Sequence, residues 1–288
     1  MSVAEAISDF KKYLTPQYGE GETRAMSRYV FEDFFGVKEG DASGDEIFAA
    51  FLAADYEVIK NRLLAGEPVQ YIVGFAWFYG LKFKVNNFVL IPRPETEELV
   101  EWILETTKNA PKTVKILDIG TGSGNIPVTL KVKNPSLDVH AVDVSESALI
   151  TASRNAYRMN ADVTFKRIDI LNQAESLSLP HFDVIVSNPP YIPNSEKALI
   201  QDNVLQYEPE LALFVDDNDP LIFYKTIADF AQKRLNTEGV LFFECNEFNA
   251  HQVVEMLKEK GFRDVILRQD MSGKDRMVFG RIGTIQSI

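Results

Sequence analysis

The 288-residue chain is long enough for two domains, each able to bury a core, and with 45% hydrophobic and 25% charged residues it reads as a soluble globular protein. Its formal net charge of −12, from 42 acidic and 30 basic residues, counts against a nucleic-acid substrate, because that binding draws on Lys and Arg to neutralise phosphates. No stretch approaches the roughly 20 apolar residues of a membrane span, and Met1-Ser2-Val3-Ala4-Glu5 is no secretion signal, so a cytoplasmic protein without a membrane role is expected.

Residues 1 to about 70 read as helices. The first, from Val3 to Leu14, is expected to end before Pro16. Apolar residues from Ala25 to Phe35 follow at helical spacing and are closed by Gly36. Ser43 or Asp45 is expected to cap a further helix that runs to Leu63-Leu64 and stops at Gly66 and Pro68. This bundle, residues 1–72, suits a protein-docking domain. Residues 73–90 form a connector, with a hairpin broken at Gly80. From residue 91 the third domain opens with Ile91-Pro92-Arg93-Pro94-Glu95-Thr96-Glu97-Glu98, where Pro94 fits a first helical position and the acids favour the helix dipole.

Beyond Thr113, short apolar strands alternate with helices: strands at 114–119, 139–142, 163–168, 182–186 and 239–245, then two late strands, 265–267 and 277–279, without a helix between them. The fold class is α/β, a mainly parallel sheet of seven strands with one late strand antiparallel, and ligands should gather at the carboxyl ends of its strands. The single cysteine, Cys245, allows no intrachain disulfide, fits a reducing compartment and reads as a packed apolar side chain. Three scattered histidines give no metal-ligand spacing, so no metal is expected.

The rim carries the chemistry. Asp118-Ile119-Gly120-Thr121-Gly122-Ser123-Gly124 follows the first strand, and its glycines let backbone turn sharply and approach a ligand. It is not the dinucleotide fingerprint, because Asn125 stands where glycine is wanted. Asp143, at the second strand's end and 25 residues after Asp118, can hold two ribose hydroxyls, and Asp169 can reach an adenine amine. After the fourth strand comes Asn188-Pro189-Pro190-Tyr191. The prolines stiffen this turn and leave carbonyl oxygens bare; the Asn188 oxygen and the Pro189 carbonyl can receive both hydrogens of a planar NH2 group, with Tyr191 as a stacking face. That group can be an amide or a base amine.

This constellation resembles the class I S-adenosylmethionine-dependent methyltransferases, Rossmann-like in fold, and their amino-methylating branch in particular. The segments Gly66-Glu67-Pro68-Val69-Gln70-Tyr71, Pro92-Arg93-Pro94-Glu95-Thr96-Glu97, the glycine loop, Asn188-Pro189-Pro190-Tyr191 and Tyr207-Glu208-Pro209-Glu210 are similar to the ordered signatures of the peptide chain release factor glutamine N5-methyltransferases, the PrmC/HemK family. The resemblance implies methyl transfer from S-adenosyl-L-methionine, leaving S-adenosyl-L-homocysteine, to the glutamine of the Gly-Gly-Gln loop of class 1 release factors. By the family pattern Gly120, Thr121, Gly122, Ser123 and Gly124 wrap the methionine and ribose, Asp143 binds the ribose, and Asn188 through Tyr191 hold the glutamine. Ile170 stands where the family often has an aromatic residue beside adenine. Asn188, which borders the cofactor, Pro189 and Tyr191 are the expected catalytic residues. A nucleic-acid amino-methyltransferase is the alternative, since it shares the turn. A non-catalytic adapter on the same scaffold is a second.

Overall fold

The computed structural model describes residues 1–40, 42–110 and 112–282. The chain divides into two units, Met1–Phe75 with Gln201–Tyr207, and Ala76–Ile200 with Glu208–Ile288.

The first unit is helical. Its helix α1 (Val3–Arg28) starts with a reciprocal cap: the Ser2 hydroxyl accepts the Glu5 N–H and the Glu5 carboxylate accepts the Ser2 N–H. The expected end before Pro16 is corrected. The helix passes through Pro16 and leaves helical geometry only at Gly19, where φ is 76°. Proline removes one N–H bond, whereas the missing Cβ of glycine is what permits a positive φ. A π-helical turn (Tyr29–Phe34), α2 (Ala42–Ile47), a second π-helical turn (Phe48–Leu52), α3 (Ala53–Leu64) and α4 (Val69–Val73) complete the unit. Asp45 lies in the first turn of α2 and accepts the Val3 N–H at 2.7 Å, so it satisfies an orphan donor of α1 and not of its own helix. Phe10, Phe31, Phe48 and Tyr56 form the aromatic core, all fully buried.

A hairpin follows, β1 (Phe75–Phe78) and β2 (Leu81–Lys84), which belongs to the second unit from Ala76 on and whose turn uses Gly80 at φ 73°. Then come α5 (Pro94–Thr107), β3 (Lys115–Ile119), α6 (Asn125–Lys133), β4 (Asp138–Asp143), α7 (Glu146–Arg158), β5 (Val163–Arg167), α8 (Gln173–Ser176) and β6 (Phe182–Ser187). After β7 (Ile192–Pro193) and a 3-10 turn, α9 (Asp202–Tyr207) belongs to the first unit. The chain finishes with α10 (Glu210–Leu213), β8 (Phe214–Val215), α11 (Ile222–Arg234), β9 (Leu235–Glu244), α12 (Ala250–Glu259), β10 (Arg263–Gln269) and β11 (Asp275–Arg281).

Seven strands make the central sheet in the order β10-β11-β9-β6-β3-β4-β5. All neighbours are parallel except β11, which runs antiparallel to both of its own, as the missing helix between the late strands requires. Both faces are covered, so strand residues alternate between two cores. Leu117, Ile185 and Phe243 face Tyr224 and Ile227 of α11, while Ile116, Val184 and Phe242 face Leu99 and Ile103 of α5. β9 starts earlier than expected, at Leu235, because the bulge in its pairing with β6 between Phe182 and Val184 absorbs the turn at Glu238 and Gly239. Cys245 is fully buried in the first of these cores. The chain runs out from β3 to β5 and returns to β6 on the other side of β3, so the ends of β3 and β6 meet at the switch point where such sheets bind ligands.

Candidate functional site

At the end of β3 the backbone turns away from the sheet, and the N–H groups of Gly120 and Thr121 both donate to the Val142 carbonyl of β4, at 2.9 and 3.1 Å. Gly120, Gly122 and Gly124 take φ of 76°, 54° and 78°, which glycine adopts without strain. They differ in surroundings. A Cβ on Gly120 or Gly122 would meet nothing within 4 Å, whereas one on Gly124 would lie 3.0 Å from the Ala152 Cβ of α7. Gly124 therefore sets the close packing of α6 on α7. Gly124→Ala should cost about 2–4 kcal/mol, from the strained φ and the clash together, in denaturant unfolding; a loss under about 1 kcal/mol would contradict this. Asn155 of α7, fully buried, fastens the loop by donating to the Ser123 carbonyl at 2.9 Å.

Asp143 closes β4 and accepts the Gly122 N–H at 2.9 Å and the Ser145 N–H at 2.8 Å. Burial raises its carboxyl above the ordinary range, and the backbone donors offset part of the rise. Asp118, one strand over, is 1% exposed, and among the described residues neither of its oxygens has a hydrogen-bond partner. Burial pushes it up to about 7; the nearby Thr121 hydroxyl, itself outside hydrogen-bonding geometry, lowers it in part and Asp143 adds to the rise. Burial of a carboxylate without a donor disfavours its charged form, which is the cause of the rise. Asp169 lies two residues beyond β5 and accepts the Leu171 N–H at 2.9 Å.

At the neighbouring strand end the Ser187 hydroxyl donates to the Ile119 carbonyl at 2.7 Å, tying β6 to β3 and bringing the turn beside the glycine loop. Asn188 and Pro190 are half-buried and Pro189 is buried. A cavity of about 300 Å³ opens here. It collects Gly120, Thr121, Gly122, Ser123, Asp143, Asp169, Ile170, Asn188, Pro189 and Pro190, with Val89, Leu90 and Phe223 adding apolar wall. Two of the expected residues are not in its lining, Gly124 and Tyr191. Tyr191 packs against the core next to Tyr224, and Glu244, Arg276 and Arg93 surround it; burial raises its hydroxyl pKa. It is partly buried and packed there. Tyr191→Phe should keep turnover within about threefold and Tyr191→Ala should lose tenfold or more by loosening the turn; equal losses in steady-state assays would implicate the hydroxyl.

Two further pairs meet here, and none of their four residues was given a role of its own in the sequence. Arg93 donates to Glu208 at 2.6 Å, and Glu208 is 5% exposed. The Thr96 hydroxyl donates to Glu244 at 2.6 Å, and Glu244 is 2% exposed. Glu244 ends the run Val240-Leu241-Phe242-Phe243, and an acid closing such an apolar strand was the available signal.

The arrangement offers a glycine loop, two carboxylates and an apolar wall at one cavity, with Asn188, Pro189 and Pro190 beside them. Residues 97–210 match the methyltransferase small domain family. The chain is similar to the release factor glutamine methyltransferase of Flavobacterium psychrophilum, 44% identical over 282 residues that cover 96% of this chain and 98% of that one. It is also similar to the release factor glutamine methyltransferase of Bacteroides thetaiotaomicron, 42% identical over 91% of this chain and 93% of that one. In fold it matches a methyltransferase from Pyrococcus furiosus, with a TM-score of 0.52 and 20% identity over 81% of this chain and all of that one.

Proposed function

The chain belongs to the release factor glutamine methyltransferases, and we propose that it takes its methyl group from S-adenosyl-L-methionine and clamps the acceptor glutamine between Asn188 and Pro189. It is a methyltransferase of the class I fold acting on a release factor glutamine. The single observation that carries the site reading is the meeting of the glycine loop and the Asn188 turn at one cavity. The acceptor is the side-chain nitrogen N5 of the Gly-Gly-Gln glutamine in class 1 release factors.

The residues present fit the cofactor. Gly120 and Gly122 leave open space for close backbone approach, Asp143 suits ribose hydroxyls, Asp169 suits the adenine amine, and Ile170, 7% exposed, gives adenine an apolar neighbour. When bound, S-adenosyl-L-methionine supplies a methyl group already activated on a cationic sulfur. Everything else falls to the protein.

An amide nitrogen is a poor nucleophile because its lone pair is delocalised. The Asn188 oxygen and the Pro189 carbonyl accept its two N–H bonds, fix its direction and favour the pyramidal nitrogen and the positive charge that develops on it. Proline serves at both positions after Asn188 because it holds these oxygens without offering a competing donor. No base has to act before the bond forms. Alignment supplies much of the rest, and positioning of this kind is worth up to roughly 7–11 kcal/mol.

The release factor docks on the first unit, whose Phe34, Ile47, Phe51 and Val58 are exposed. Among the described residues no helix is long and apolar enough to cross a membrane. The cytoplasm, where a lone buried cysteine stays reduced, is the fitting setting. Transfer of labelled methyl to a purified release factor tests the proposal, with a Gln→Ala variant of its Gly-Gly-Gln loop and with DNA and ribosomal RNA as parallel acceptors. Label on the intact factor alone is expected. Label on nucleic acid and none on the factor would overturn the substrate and keep the fold.

A further inference from the structure

Glu244 ends β9 on the rim that carries the clamp, buried, and neither the cradle nor the clamp uses it. One of its oxygens, Oε2, accepts the Thr96 hydroxyl at 2.6 Å. Asn188 and Glu244 directly follow Ser187 and Phe243, which are partners in the parallel pairing of β6 with β9, so the two stand side by side at the strand ends, and Asn188 helps to lower the pKa of this carboxylate. An ionised carboxylate only accepts, so a carboxamide bonded to it must present its NH2, and the amide oxygen then points the other way. Resting on the clamp reading above, we propose that Glu244 is a positioning residue for methyl transfer: pinned by Thr96, it holds the Asn188 amide in the one orientation that aims its oxygen at the substrate nitrogen.

Without that bond the two ends of the Asn188 amide are nearly equal in shape, and half of the orientations would present a donor to a donor. The arrangement also gives Thr96, within the Pro92-Arg93-Pro94-Glu95-Thr96-Glu97 segment, a task. The acid is sensitive to pH near neutrality. Burial raises it to about 7; Thr96, Arg276 of β11 and Asn188 lower it, and Glu95 of α5 raises it. Tyr191, Tyr224 of α11 and Cys245 also face it. Once protonated, Glu244 can donate, and the Asn188 oxygen turns back toward it. Turnover should therefore fall as pH drops through about 7.

The test compares wild type with Glu244→Gln in kcat, KM for the release factor and calorimetric affinity for S-adenosyl-L-methionine, on both sides of neutrality. Glu244→Gln should lower kcat by about 100-fold above neutral pH, remove the acid limb of the profile, and leave cofactor affinity and thermal midpoint near wild type. The double variant with Asn188→Ala should be no slower than Asn188→Ala alone, because the two residues act as one unit. Wild-type kcat with the acid limb retained would overturn the proposal, and so would a loss that appears equally in cofactor affinity. If Glu244→Gln does not fold, Thr96→Val decides: about tenfold lower kcat at unchanged KM supports the pinning, and unchanged kcat overturns it. A normal kcat for Asn188→Ala would bring down the clamp itself, whereas an inactive Asn188→Ala beside a normal Glu244→Gln would remove only this inference.

Discussion

Asn188→Ala is expected to lower kcat by about a thousandfold while leaving affinity for S-adenosyl-L-methionine within about threefold, measured by single turnover and by calorimetry. The split follows from where Asn188 stands. It follows β6 at the switch point and shares the cavity with the glycine loop, but the groups that fit the cofactor lie in the loop after β3 and at the end of β4. Removing its side chain deletes one of two acceptors that orient the nucleophile, and the other, the Pro189 carbonyl, is backbone and survives. The loss therefore falls on the transition state, where the N–H bonds become more acidic as charge develops. Turnover near wild type would refute the clamp.

Asp143→Ala should show the reverse pattern, with cofactor affinity weakened by about 100-fold and maximal turnover much less affected. Two causes add. The carboxylate is lost to the ribose hydroxyls, and hydrogen bonds to a charged group are worth about 1.5–3 kcal/mol each. The Gly122 N–H also loses the acceptor that it reaches at 2.9 Å, so the loop's middle glycine, with its positive φ, is no longer held to β4. Asp143→Asn separates the two, since an amide oxygen can still accept the Gly122 N–H. It should recover part of the affinity in calorimetry, and full recovery would mean that charge is irrelevant to the ribose.

The strands, the mainly parallel sheet and the residues at the strand ends were legible in the sequence because each is a local signal. Apolar runs between helices located the strands, a missing helix required one of the two late strands to be antiparallel, which is β11, and glycines, aspartates and the Asn188 turn marked strand ends. What escaped depended on distance. Glu244 and Thr96 are 148 residues apart and Arg93 and Glu208 are 115 apart, so their bonds exist only once β9 and α5 are packed. Asp118 was read as part of the loop, and its unpartnered burial appears only in three dimensions. Tyr191 reads as a stacking face from its place in the turn, and only the fold shows its partly buried ring packed against the core that holds Tyr224. In the first unit, Pro16 looked like a stop and Gly19 is where the helix bends, since local breakers compete and the one with conformational freedom yields.

The most direct measurement is a crystal structure of this protein with S-adenosyl-L-homocysteine and a release factor carrying an intact Gly-Gly-Gln loop. The glutamine side-chain nitrogen should lie at hydrogen-bonding distance, about 2.8–3.2 Å, from both the Asn188 Oδ1 and the Pro189 carbonyl oxygen, and Glu244 should contact the Asn188 Nδ2. A glutamine amide seated elsewhere in the cavity, with other acceptors on its two N–H bonds, would contradict the account.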